Sequence, residues 1–101
     1  MKIYISGGIS KDLNFKKKFR IAEEKLLDKG HAVINPAIMP IGFSQEEYMH
    51  VDLAMLDICD GVYLLNNWES SKGANIEYEY AKKNNKYIFF EEVENASRTN
   101  L

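Results

Sequence analysis

Cysteine occurs once, at Cys59, so the chain has no internal disulfide framework and no CxxC metal or redox motif. Set in an apolar helical stretch, that thiol reads as packed rather than reactive. Histidine is nearly as scarce: His31 reads as a surface residue at a strand start, and His50 falls on the polar side of a helix. No metal and no cofactor is expected. Basic charge is not in excess either. Thirteen Lys and Arg against fifteen Asp and Glu leave a formal charge of −2, which argues against a nucleic-acid groove. Lys16-Lys17-Lys18 and Lys82-Lys83 read as solvated helix faces. No apolar run approaches a membrane span, and the N-terminus lacks the long apolar region of a signal peptide, so a cytoplasmic protein without a membrane partner is expected. The glycines do not fall in GxGxxG or GxxxxGK[ST] spacing, which leaves the dinucleotide fingerprint and the P-loop unsupported.

What is present is 101 residues, 46% hydrophobic and 28% charged, enough for one compact domain with a small core. Lys2 to Ser6 alternates into a short strand and runs into Gly7-Gly8-Ile9-Ser10. From Asp12 to Lys29, Phe15, Phe19, Ala22, Leu26 and Leu27 recur at helical spacing, and Gly30 stops the helix. A second strand, His31 to Ile34, ends at Asn35-Pro36. Ala37 to Phe43 reads as an irregular apolar loop that covers a pocket or meets a partner subunit. Ser44-Gln45-Glu46-Glu47 has the form of a capping box and starts a helix that runs to about Cys59. Val62 to Leu65 reads as a buried strand. A polar loop and a helix ending near Asn84-Asn85 follow, and Tyr87 to Phe90 makes a fourth strand. Residues 91–101 read as a tail or a short surface helix. Strand and helix alternate throughout. The fold class expected is therefore α/β, a three-layer open parallel sheet of four or five strands in order 2-1-3-4, flavodoxin- or Rossmann-like, with its ligand crevice between strands one and three.

Two acids interrupt apolar stripes. At about 100° per residue, Gly73, Ala74, Ile76, Tyr80 and Ala81 share a face of the last helix, and Glu77 falls in its middle, whereas Glu79 lies on the wetter side. On the preceding helix Tyr48, Val51, Met55, Leu56 and Cys59 form a face with Asp52 near its centre. An inward carboxylate costs on the order of several kcal/mol unless it is paired, protonated or lining a cavity. Glu77 therefore marks the centre of a site, with Asp52 as its partner.

A carboxylate held against apolar surface, a second acid, hydroxyls at a helix N-terminus and a large aromatic suit glycosyl transfer. One carboxylate attacks or stabilises an oxocarbenium-like anomeric carbon while the other acid protonates the leaving group. The rim of the crevice would hold Ser6 to Ser10 after strand one and Asn66 to Gly73 after strand three, with Ser6, Gly7, Gly8, Ser10, Trp68, Ser70, Ser71 and Gly73 as the candidate binding residues. Ser70, Ser71 and loop amides would take a phosphate or sugar hydroxyl, Trp68 would cover a base, and Tyr4 would extend its hydroxyl toward the carboxylates.

KIYISGGIS, INP and YMHVDLAMLDICDGVYLLNNWESSKGANIEYEYA together resemble the nucleoside 2-deoxyribosyltransferase-like superfamily, over roughly residues 1–90. The short phage and bacterial members are the most similar. The resemblance implies that Glu77 is the nucleophile that takes the deoxyribosyl group, that Asp52 serves the sugar and proton transfer to the base, and that Tyr4 orients the nucleophile. Ser71, six positions before Glu77, matches the phosphate-binding serine of the branch that hydrolyses 2′-deoxynucleoside 5′-monophosphates. That branch's hydroxyl and arginine phosphate ligands correspond here to Gly8 and Ser10, so its cationic clamp is missing. The implied partner is a small-molecule nucleoside or nucleotide, and the implied assembly is a homodimer or larger homo-oligomer. Three other readings stay open: a nucleotide-binding module that has lost useful catalysis, an NAD-cleaving glycohydrolase differing only in its leaving group, and a structural or interaction protein.

Overall fold

The computed structural model describes residues 1–9 and 13–92. Four strands, β1 (Lys2–Ser6), β2 (Ala32–Ile34), β3 (Gly61–Leu64) and β4 (Tyr87–Phe90), form one parallel sheet in the order β2-β1-β3-β4. Helices α1 (Phe15–Asp28), α2 (Gln45–Asp57) and α3 (Lys72–Lys83) make the crossovers. This is the expected α/β architecture and strand order, with four strands among the described residues. Side chains alternate across β1, and that alternation divides the core. Ile3 and Ile5 pack with Phe19, Ala22 and Leu26 of α1 on one face. Tyr4 packs with Leu56 of α2 and Ala81 of α3 on the other.

The local signals explain the boundaries. Gly30, at φ +90°, supplies the left-handed residue that ends the first crossover. Ser44 Oγ accepts from the Glu47 amide at 3.1 Å and Glu47 Oε1 accepts from the Ser44 amide at 2.8 Å, completing the expected capping box. At the start of the segment read as an irregular loop, Pro36–Ile38 forms a short 3-10 turn, because Asn35 Oδ1 accepts from the Ala37 amide at 2.9 Å. Of the segment read as a tail, Glu91 is held to the sheet, donating its amide to Leu64 O at 2.8 Å and accepting from the Asn66 amide at 2.9 Å. Residues 93–101 of that segment lie outside the described residues. Among the described residues no helix is long and apolar enough to cross a membrane.

β1 and β3 are neighbours, with Ser6 opposite Leu64. Their following loops leave the C-terminal edge of the sheet side by side, one toward α1 and the other toward α3. That divergence opens a cavity of about 1070 Å³ whose walls include Ser6, Asn67, Asp52 and Glu77.

Candidate active site

Glu77 sits on the inward stripe of α3, between Ala74 and Ala81, and is only 5% exposed. Of the predicted face, Ala74 and Ala81 are buried and Gly73 and Tyr80 are half-buried, with Tyr80 packed against the α2-side core; Tyr78 joins them, and Ile76 is exposed, although it lines the cavity mouth. The inward stripe of α2 likewise includes Met49, Asp52, Leu53 and Leu56, and Val51 faces outward. Val51 and Ile76 are thus the residues of the two predicted faces that turn outward, and both acids point in.

Three side chains converge on the Glu77 carboxyl. The Tyr4 hydroxyl donates to Oε2 at 2.8 Å and the Ser6 hydroxyl donates to Oε1 at 2.6 Å, both from β1. Asp52, half-buried on α2, lies within hydrogen-bonding reach of the same carboxyl. Burial raises the proton affinity of Glu77 well above the ordinary carboxylate range. The hydrogen bond from Ser6 opposes that rise, the Asp52 charge adds to it, and the bond from Tyr4 opposes it. Asp52 is also raised, by desolvation, with its hydrogen bond to Glu77 pulling the other way. The two titrate as a unit that keeps one proton between them near neutrality. Tyr4 is pushed far above its ordinary range by burial and then by the Glu77 charge, so it remains a neutral donor. Among the described residues no buried side-chain nitrogen or oxygen lacks a partner.

The other candidates divide by place. Ser6 is 1% exposed and spends its hydroxyl on Glu77, so it positions the carboxyl. Gly7 and Gly8 line the cavity, but the space their missing side chains leave is taken by protein: a Cβ on Gly7 would meet Leu65 at 2.9 Å, and one on Gly8 would meet Asn67 at 3.3 Å. The Gly8 amide donates to Asn67 Oδ1 at 2.9 Å, tying the two loops of the crevice together. Ser70 and Ser71 line the cavity, and Ser71 Oγ also caps α3, accepting from the Ala74 amide at 3.1 Å. Gly73 lines it too and admits Met49 of α2, whose Cε would lie 3.3 Å from a Cβ there. Trp68 does not line the cavity. Its ring packs on Tyr78, at 4.8 Å between centroids, and on Phe90, at 6.0 Å. Ser10 lies outside the described residues. Asn67 and Lys72, within the predicted rim, line the cavity, and the sequence reading missed Tyr48, Met49, Lys16 and Lys18, which line it as well. No group of three or more His, Cys, Asp or Glu among the described residues is placed to hold a metal.

Residues 1–90 match the family described as a domain of unknown function, DUF4406. The chain belongs to that family. No curated protein matches it. What a DUF4406 chain of this sequence offers chemically is thus read from its own geometry: an inward carboxylate with two neutral donors behind it and an acid partner in front.

Two outcomes follow from that geometry. Gly7→Ala should destabilise the fold by about 1–3 kcal/mol, because the added methyl overlaps the buried Leu65 side chain; chemical denaturation reads the loss. Ser6→Ala removes a bond that favours ionised Glu77, so the proton affinity of the pair should rise roughly tenfold. Carbon NMR of labelled glutamate carboxyls across a pH series follows it, and an unmoved titration would show that Ser6 does not tune the pair.

Proposed function

We propose that the protein cleaves or transfers N-glycosidic bonds of nucleosides or nucleotides, with Glu77 as nucleophile, as its resemblance to the nucleoside 2-deoxyribosyltransferase-like superfamily implies. The observation that carries this reading is the Glu77 carboxyl itself, buried at the wall of a cavity and held by Tyr4 and Ser6 with Asp52 beside it. Two fixed donors aim both oxygens and leave little rotational freedom to lose on reaction. Asp52, less buried than Glu77, is the partner that swings away when a sugar enters, opening the pair toward the ~5–5.5 Å separation of retaining glycosidases.

The steps balance as follows. The proton that buried Glu77 holds at rest first passes to Asp52 across their hydrogen bond; the C1′–N bond then breaks and its electron pair stays with the base, which takes that proton from Asp52. A lone pair of ionised Glu77 forms the C1′–O bond. Water, or the nitrogen of a second base, then attacks C1′ and gives its proton to Asp52, and the pair on the glycosyl oxygen returns to Glu77. Tyr4 and Ser6 stay neutral and donate throughout.

Ile38 and Ile41 are 82% and 90% exposed, and Phe43 is half exposed. These residues suit the apolar patch of a homodimer, and buried Cys59 suits a cytoplasmic setting. The test is incubation with a panel of nucleosides, their 5′-monophosphates and NAD, followed by chromatography. Free base is expected from at least one member. Ligands that raise the melting temperature without releasing base would make the protein a binding module and overturn the reading.

A further inference from the structure

The last strand is composed like an interior one and sits at an edge. β4 reads Tyr87-Ile88-Phe89-Phe90, a run without charge, proline or glycine, and such runs belong to parallel strands buried on both faces. Edge strands ordinarily carry a charge, a proline or a bulge that keeps other strands away. Yet β4 is an edge of the sheet among the described residues. On its α3 side, Ile88 packs against the core and Phe90 against Trp68. On the other side α1 packs over β1 and β2, away from β4. Tyr87 and Phe89 share that second face with Gly61 and Tyr63, their neighbours on β3. Their rings stack at 6.4 Å between centroids, with Tyr87 63% exposed and Phe90 53% exposed at the edge itself. The backbone points the same way. Tyr87 and Glu91 donate their amides to Asp60 O at 3.0 Å and to Leu64 O at 2.8 Å, so strand alternation turns the N–H and C=O of Ile88 and Phe90 away from β3.

We propose that the partner at this edge is a second copy of the chain, joined β4 to β4 antiparallel about a two-fold axis normal to the sheet. That axis keeps each face on its own side, and directly opposite residues share a face, so the register is centred on a residue. Centred on Phe89, it sets Ile88 opposite Phe90 of the other copy, where their outward backbone groups exchange hydrogen bonds. It sets Phe89 against Phe89 in a close, non-hydrogen-bonded pair. It also sets Lys86 opposite Glu92, so opposite charges meet at both ends of the joined strands. Centring on Ile88 would set Lys86 opposite Phe90, and centring on Phe90 would set Ile88 opposite Glu92; neither pairs the charges. Lys86 Nζ also donates to Asp57 O at 2.7 Å, which holds it at the start of the strand. The two sheets then run on as one, with their cavities at opposite edges of it. This surface is separate from Ile38, Ile41 and Phe43, which follow β2 at the other edge of the sheet, and it does not depend on the chemistry at Glu77.

Sedimentation equilibrium of the full chain should show a dimer. Cys59 is buried and is the one cysteine of the sequence, so Phe89→Cys adds a single accessible thiol to each copy. The Cα atoms of a non-hydrogen-bonded pair stand about 4.5 Å apart, within the span of a disulfide. Mild oxidation should therefore turn most of that variant into a covalent dimer, whereas Tyr87→Cys, displaced along the strand from its own copy, should stay unlinked. Lys86→Glu and Glu92→Lys should each raise the dimer dissociation constant at least about fivefold, and the two combined should restore it. Circular dichroism checks the fold of each variant, and where Phe89→Cys loses it the charge exchange decides alone. A monomer overturns the proposal and leaves β4 to residues 93–101 or to another protein. A dimer that neither links through Phe89→Cys nor answers to the charge exchange overturns it as well and moves the contact to Ile38, Ile41 and Phe43.

Discussion

Glu77→Gln should abolish base release, by at least about 10³-fold, and at the same time make the protein harder to unfold at alkaline pH. The two effects share one cause. The Glu77 carboxyl is buried and binds its proton more tightly in the folded protein than in the unfolded chain. Between the ordinary carboxylate range and that raised value the native state holds more protons than the unfolded one, so stability is full at acid pH and is lost as the pH rises. A glutamine is neutral at every pH and still offers an oxygen to Ser6 or Tyr4 and an amide to Asp52. Melting curves at about pH 5 and about pH 9 should therefore diverge, with the variant ahead by several degrees at the higher pH and level or behind at the lower. A variant less stable at alkaline pH would mean that Glu77 is a stabilising ion and not a group held in place for chemistry.

Asp52→Asn should separate substrates by their leaving groups. Release of a neutral purine or pyrimidine needs a proton and should fall by about 10²–10⁴-fold. Release of a base that is already cationic, such as a methylated purine or a pyridinium, needs none and should fall far less. Removal of the Asp52 charge also takes away one of the influences that raise Glu77, so the nucleophile should ionise at lower pH and the acid limb of the remaining activity should move down. An equal loss on both kinds of substrate would place Asp52 in sugar binding rather than proton transfer.

How far the sequence could be read depends on how each signal arises. Buried parallel strands are short apolar runs, so all four strands and their order followed from hydrophobic pattern and connection rules. Asp52 and Glu77 stood out because a charge on an apolar stripe is rare. Each predicted face holds but for one residue, Val51 on α2 and Ile76 on α3. Leu56 is the sole buried residue of α2, and a helix covered that lightly shows apolar residues on more than one side. Trp68 was misread for a different reason: a loop tryptophan can turn either way, and here Tyr78 and Phe90 capture it on the side away from the cavity. Tyr78 stands between two glutamates in the sequence and Phe90 lies on the sheet's edge strand, so neither announces the cluster. Lysines on α1 read as solvated because their long stems keep the charge in water while the body borders a cavity. That ambiguity is resolved only by knowing what lies across from them.

The hydrogen bonds at Glu77 span 73 residues to Tyr4 and 71 to Ser6. Nearly the whole chain must therefore be in place before the carboxyl acquires its neighbours, and the closing of loops that long is slow. Nascent or truncated forms that stop short of the final crossover contain the first strand and its donors but no acid for them to hold. Competence for chemistry would then switch on late and all at once during assembly, and recovery of turnover after dilution from denaturant would report completion of the sheet.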